Sequence, residues 1–343
     1  MTIIVLLILA GVSLSIVMQG GILDKSQLAV NEYKNSANDE DNTIKDMDKY
    51  LDKQLNIYKN DGVDMDKAKE DLEKNPENYI HPDQSSTNGD RAVGTDGKAV
   101  NMDLWDGWQK EDDGAHLDWF QIGSSNFDDP FYLNSNLEGG KIKGTVPQYI
   151  YSEEDGKVYP VVSMEKTFRY SDIVIPPKIT STVTNMNETF NECHALKEAP
   201  KLPDGVINMW STFNGCVLLE TAPELPSKVE DIGYTFARCS GLKTAPSKIP
   251  DSVINMSGTF AGCGLLERIP EIPSKVKDIS GAFYECSSLT GDLIINAENV
   301  EVYEECLAEA ATNPGCDLKL TGSCPQLNEI LGTATSGNVS LKE

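Results

Sequence analysis

The sequence predicts an α+β protein in which an apolar N-terminal helix and a charged helical stalk lead into a β-rich cap and then a solenoid of stacked repeats. Three observations carry this. A block recurs every 23 or 24 residues through the second half of the 343-residue chain. Such a period marks supersecondary units that bury their apolar edges only against one another. An unbroken run of apolar and small residues, Thr2 to Met18, opens the chain. Between the two lies a segment with clustered tryptophans and Gly/Asn/Asp turns, where apolar residues alternate as in strands.

The organisation follows in order: an apolar helix over 1–21, a charged helical stalk over 22–74, a linker over 75–98, a β-rich N-terminal cap over 99–160, repeats over 161–290 and a C-terminal cap over 291–343. An apolar content of 39% is compatible with a buried core. The net charge of −25 and pI near 4.4 make nucleic acid and anionic membrane surfaces poor partners.

Seventeen residues, Thr2 to Met18, just reach across a hydrocarbon core of about 30 Å at about 1.5 Å per residue. A membrane helix is the expectation. A cleaved secretory signal is the alternative, against which stand the missing basic flank and A-x-A site; a buried core helix is the plainer one. Thr2-Ile3-Ile4-Val5-Leu6-Leu7-Ile8-Leu9-Ala10-Gly11-Val12-Ser13 resembles the N-terminal helix of bacterial type IV pilin-like proteins. That family's basic leader and cleavage glycine do not precede it here, so a start upstream of Met1 is expected. The resemblance implies pilin-like subunits as possible partners.

Leu23 to Tyr33 prolongs this helix, and Asn35 to Asn42 breaks it. Thr43 with Asp46 then resembles a capping box, ahead of an apolar stripe at Ile44, Met47, Leu51, Leu55 and Tyr58. The stripe packs on its own domain or, in the sharper reading, on a partner helix. Asp61 to Asp66 does not align with an EF-hand and reads as a turn entering a helix. Residues 75–98 are polar, with Pro, Gly and Ser.

In the cap, Trp105, Trp108, Trp119 and Phe120 cluster early. Lys141 to Val146 and Tyr149 to Tyr151 alternate as strands, and Ser152 to Lys157 is a hairpin turn before Val158. Such a piece covers the open end of a stack. The alternative is a separate carbohydrate-binding module with the tryptophans as platforms.

In the repeats, Phe190, Phe213, Phe236, Phe260 and Phe283 each stand three residues before Cys193, Cys216, Cys239, Cys263 and Cys286. A Val precedes each Phe by seven and a Leu follows by six, from Val183 and Leu196 to Val276 and Leu289. A first, degenerate unit keeps Val161, Met164, Thr167 and Phe168 but has Ser171 in the cysteine place. Stacking makes each position a ladder, with Phe in the core and the threonines at 167, 189, 212, 235 and 259 satisfying backbone groups. Written once, the unit is V-x-N/D-M/I-x-x-T-F-x-x-C-x-x-L-x-x-A-P-x-L-P, as in Val206 to Pro226. It resembles the BspA-like leucine-rich repeat of bacterial surface proteins, which implies a short parallel strand per coil. Pro200, Pro223, Pro246 and Pro270 fall inside that strand, so it must be very short or partly open.

Two readings of the cysteines stand: disulfides, as suits an oxidising exterior, or buried thiols acting as small hydrophobes. Cys316 and Cys324, outside the ladder, are the possible disulfide, with Cys306 as competitor. With no CxxC pair and scattered His81, His116 and His194, no metal site is expected. No catalytic motif occurs, and no cofactor is implied. Ligand-binding candidates are positions that vary while the frame holds. Lys201, Glu224, Ser247 and Glu271 share one register; Asn187, Trp210, Gly233, Ser257 and Ser280 share another. Trp210 either anchors a partner or folds down over a neighbouring coil.

The function expected is non-enzymatic: a membrane-anchored cell-surface protein with extracytoplasmic repeats that bind a protein or glycan ligand. A pilin-like filament subunit displaying the solenoid is the alternative. An enzyme hidden in 99–160 is the third.

Overall fold

The computed structural model describes residues 63–81, 89–105, 107–117, 137–138, 141–142 and 144–342. The apolar run, the pilin-like segment and the stripe from Ile44 to Tyr58 lie outside the described residues, as do Trp119 and Phe120. Among the described residues no helix is long and apolar enough to cross a membrane.

The first described element is helix α1, Met65–Lys74, with Asp64 as its N-cap accepting from the Lys67 N–H at 3.1 Å. The turn entering a helix is therefore where the sequence put it. The helix and the turn after it pack on the cap sheet. Leu72 of α1 and Tyr79 of the 3-10 turn Pro76–Tyr79 are buried against Val93 and Tyr149. The physical reason is a stripe, Met65, Ala68 and Leu72, at spacings of three and four, that needs an apolar partner. The stretch expected as a linker also supplies strand β1, Arg91–Gly94.

The cap is a five-stranded sheet. With β2 Gln109–Glu111, β3 Gly114–His116, β6 Pro147–Ser152 and β7 Lys157–Ser163, its order is β1-β6-β7-β3-β2. A further pair, β4 Leu137–Glu138 and β5 Lys141–Ile142, stands apart, so the strand expected over 141–146 is only two residues long. The hairpin turn is present, with Ser152 facing Lys157. Alternation sends Ala92 and Ile150 to the core shared with the repeats, and Val93 and Tyr149 to α1.

Strand β7 passes straight into the repeats. Ser163 bridges Asn185 in parallel, and the bridges continue through Asn208, Asp231, Asn255 and Asp278 to Val302. These are single bridges; the repeats contain no regular strand, consistent with two prolines per coil. Most stacking bonds lie elsewhere. In the second coil the N–H groups of Met186, Glu188, Phe190 and Glu192 donate to carbonyls of Asn208, Trp210, Thr212 and Asn214 at 2.7–2.9 Å. Those of Thr189, Asn191 and Cys193 turn back on their own coil at 3.1–3.2 Å. This alternation accompanies left-handed backbone at Glu188 (φ 51°) and Glu192 (φ 59°), and the same two columns are left-handed in coil after coil. Every one of these donors is satisfied, which offsets a strain of about 1 kcal/mol at each such residue.

Inside, the phenylalanines form a continuous column. Successive rings from Phe168 to Phe283 stack at 5.3–6.3 Å with interplanar angles of 2–19°. All are fully buried. Trp105 closes the N-terminal end edge-on to Phe168 at 6.3 Å. It is a core residue, as a small β core would have it.

The stacking runs on past Thr290. Strands β8 Gly291–Ile294, β9 Leu318–Thr321 and β10 Val339–Leu341 pair in parallel. In the coil between β8 and β9, the Cys306 carbonyl accepts from Phe283 N–H, the role that threonine carbonyls play earlier. So Cys306 occupies the threonine place, Leu307 the phenylalanine place and Ala310 the cysteine place. Helix α2, Leu327–Leu331, follows.

Candidate functional site

The frame is built from small polar side chains, and it fixes what faces outward. Threonine hydroxyls reach one coil back: Thr189 Oγ1 donates to the Met164 carbonyl at 2.8 Å, and Thr235 Oγ1 to that of Met209 at 2.7 Å. The thiols do the same. Cys193, Cys216, Cys239, Cys263 and Cys286 donate Sγ–H to the phenylalanine carbonyl of the preceding coil at 2.9–3.2 Å. Each is buried and free. Burial pushes Cys239 and Cys286 up to about 12, and Cys193, Cys216 and Cys263 also well up. Ser171 Oγ, in the cysteine place of the first coil, is buried with no partner among the described residues.

Cys316 and Cys324 are also free, which corrects the expected disulfide. The extended strand β9, spanning about 10 Å, lies between them, and Cys324 Sγ lies 3.4 Å from Gln326 Oε1. Among the described residues no group of three or more His, Cys, Asp or Glu could hold a metal ion.

The asparagine and aspartate column makes one turn per coil. Asn208 Oδ1 accepts from the Trp210 N–H at 2.9 Å, Asp231 Oδ1 from Gly233 at 2.8 Å and Asn255 Oδ1 from Ser257 at 2.9 Å. Residues 210, 233, 257 and 280 follow that turn, each with a left-handed residue after it; of these eight Tyr234 is exposed, Trp210, Ser280 and Gly281 are half-buried, and Ser211, Gly233, Ser257 and Gly258 are buried. Here Trp210 is half-buried. A Cβ at Gly233 would lie 2.9 Å from Trp210 Cδ1, so the indole rests on the next coil. Tyr234 is 41% exposed and meets Trp210 edge-on at 5.9 Å. Its own ring lies over Gly258, where a Cβ would be 2.4 Å from Cε1. Aromatic side chains thus lean coil to coil over glycines.

From Trp210 to Gly281 these two columns carry only Trp, Tyr, Ser and Gly, while Asp231 and Asp278 of the adjoining column are half-buried. Charge returns at each end. Glu188, nearly buried, pairs with Arg169 at 2.8 Å on one side, and Glu304 with Glu305 follows on the other. Ser211, next to Trp210, is buried, and its Oγ has no partner among the described residues.

The other predicted candidates lie in a separate column. Lys201, Glu224 and Glu271 are exposed, but two are engaged by the next coil: Glu224 Oε2 accepts from Ser247 Oγ at 2.5 Å, and Glu271 Oε1 accepts from Asn296 Nδ2. Trp210 packs on Gly233 and Tyr234, whereas Glu224 of this column is held by Ser247. Sequence reasoning missed Tyr234. Its signal was adjacency, one coil on and one column over from Trp210.

Residues 164–290 and 209–312 match the family described as the BspA type leucine rich repeat region, in six copies. Over these residues the repeats are similar to BspA-type leucine-rich repeats. The second match runs through Leu307 and Ala310, in keeping with the extra coil after Thr290. A crystal structure of a leucine-rich repeat protein from Bacteroides ovatus ATCC 8483 is similar at 23% identity and a TM-score of 0.37, covering 63% of this chain and 59% of that one. A superposition that weak decides neither fold nor function. No curated protein matches the chain.

Proposed function

We propose that this is a non-enzymatic cell-surface adhesion protein whose leucine-rich repeats present a binding face outside the cell. The observation that carries the reading is an aromatic pair, half-buried Trp210 and exposed Tyr234 packed edge-on at 5.9 Å over glycines of the stack. Aromatic anchors on a preorganised frame lose little entropy when a partner docks. The apolar run Thr2–Met18 supports anchoring at a membrane. Adhesion of intact cells expressing the full chain, with and without Trp210→Ala, tests the reading. Adhesion should fall with the substitution while surface display is unchanged; equal adhesion defeats it.

The resemblance of Thr2 to Ser13 to type IV pilin-like helices supports a second reading, a filament subunit displaying the same face. Mechanical shearing separates the two: release of full-length chain in filaments favours the subunit, retention with the cells favours the single anchor.

A further inference from the structure

The coils of Phe190, Phe213, Phe236 and Phe260 carry a patch of balanced charge on a chain whose net charge is −25. From coil to coil, the residue after the buried leucine runs Lys197, Glu220, Lys243, Glu267, and the one after it runs Glu198, Thr221, Thr244, Arg268. All eight are exposed, and the six charges among them are three of each sign. Just before the leucine, Ala195 and Gly241 alternate with Leu218 and Leu265, which are 47% and 49% exposed.

Pairing within one chain accounts for only part of this pattern. Glu220 meets Lys243 of the next coil at 2.9 Å. Glu198 and Arg268, however, stand three coil spacings apart, about 14 Å, with threonines between them. Both columns share another property: each, read backwards, is its own charge complement. A two-fold axis lying in the patch, perpendicular to the stack, lays every column against itself in reverse. Lys197 then faces Glu267 of a second copy, Glu220 faces Lys243, Glu198 faces Arg268 and Thr221 faces Thr244. No like charges meet. The same operation sets Leu218 opposite Gly241 and Leu265 opposite Ala195, a protruding side chain against a small one each time. Farther along the coil, Lys201 and Glu271 are disposed in the same way.

We propose that this patch is a self-association surface that pairs two copies of the chain antiparallel. The inference goes beyond the adhesion reading and uses other columns than those of Trp210 and Tyr234. Two copies at −25 each repel at a distance. At about 0.15 M ionic strength that repulsion is screened beyond about 8 Å, which leaves the contact pairs to decide. A footprint of about 14 Å along the stack is small, so the pair is a weak, concentration-dependent dimer rather than a permanent one.

Charge reversal with mixing tests the proposal. The full chain, solubilised in detergent at about 0.15 M salt, is sedimented over a concentration series, and the wild type should pass from monomer to dimer. Lys197→Glu sets glutamate against glutamate and Glu267→Lys sets lysine against lysine, so each variant alone should dimerise about tenfold or more weakly. Mixed together, the two should recover the wild-type dimer, because each altered residue meets its complement. A variant that had merely failed to fold would not recover. Glu198→Arg with Arg268→Glu should behave alike. A wild type that stays monomeric, association equal in all variants, or loss without recovery on mixing overturns the proposal. Trp210→Ala should leave the dimer intact whatever it does to cell adhesion, which separates the two readings. A dimer lost with Trp210 places the contact elsewhere and overturns the proposal too.

Discussion

Arg238 reaches across an entire intervening coil to Glu192: Nη2 meets Glu192 Oε1, and Nε donates to Asn214 Oδ1 at 3.2 Å on the way. Gly215 makes the crossing possible. A Cβ there would lie 2.7 Å from Glu192 Oε2, and its φ of 75° is left-handed. The guanidinium is 65% exposed, so the ion pair itself contributes no more than about 1 kcal/mol.

Gly215→Ala should therefore cost about 1 kcal/mol from left-handed strain, plus whatever the displaced pair contributed. Glu192→Gln should cost less, and its effect should vanish in about 1 M salt, where screening acts within about 3 Å. Urea melts at low and high salt separate the two. If the Gly215→Ala loss disappears with salt as well, backbone strain is not its cause.

What the sequence could and could not reveal follows from which residues repeat. Phe190 and Cys193 recur at fixed offsets because every coil needs the same core, so the column was legible. The threonine ladder was legible too, since a hydroxyl among apolar residues must bond backbone. The packing of Met65 to Tyr79 was hidden because its stripe is short and polar around its edges; only Val93 and Tyr149, far along the chain, reveal where it packs. The coil after β8 was obscured by substitution, with Cys306 in the threonine place and Leu307 in the phenylalanine place. Tyr234 escaped notice because neighbouring columns meet on a surface that a one-register reading cannot see.

The thiol column predicts a one-sided pH dependence. Burial raises Cys239 and Cys286 from 9.0 to about 12. A thiol raised on folding keeps its full contribution below pH 9; above it the unfolded chain ionises first, and stability falls as pH climbs towards 12. Each such thiol adds a slope of about 1.4 kcal/mol per pH unit inside that window. Urea melts under reductant from pH 7 to 10.5 should be flat and then fall. Cys239→Ala should cost roughly 1–2 kcal/mol at pH 7 and flatten the alkaline fall by one thiol. A slope unchanged by the substitution would mean that Cys239 ionises freely in the folded protein. Ellman's reagent should leave the five column thiols untouched until unfolding.

The phenylalanine column predicts unequal tolerance along its length. Trp105 has no stacked ring on its far side among the rings described, only Phe168 edge-on, yet it is fully buried. Trp105→Ala should cost about 3–5 kcal/mol and expose the end of the column. Phe213→Leu, flanked by rings at 5.6 and 5.8 Å, keeps most of the volume and should cost less, about 1–1.5 kcal/mol. Calorimetry of both variants tests the ranking. A larger loss at 213 would mean that ring stacking, rather than closure of the end, dominates.

The stack must also stop, and it does so with hydroxyls in place of carbonyls. In the preceding coil the N–H groups of Phe283 and Glu285 donate to the carbonyls of Cys306 and Ala308 at 3.0 and 2.9 Å. One coil on, the N–H of Leu307 donates instead to Thr333 Oγ1 at 3.0 Å, and that of Glu309 to Thr335 Oγ1 at 3.3 Å. Leu307 is fully buried, so its N–H has no recourse to water if the hydroxyl goes. Thr333→Val, nearly identical in shape, should cost about 1–3 kcal/mol, whereas Thr335→Val, at an exposed position, should stay within about 0.5 kcal/mol. Thr333→Ser should restore most of the loss because it returns the acceptor. Amide exchange at Leu307 reads the effect directly: faster exchange in Thr333→Val but not in Thr333→Ser is expected, and equal protection in all three would show that the N–H is held by something other than this hydroxyl.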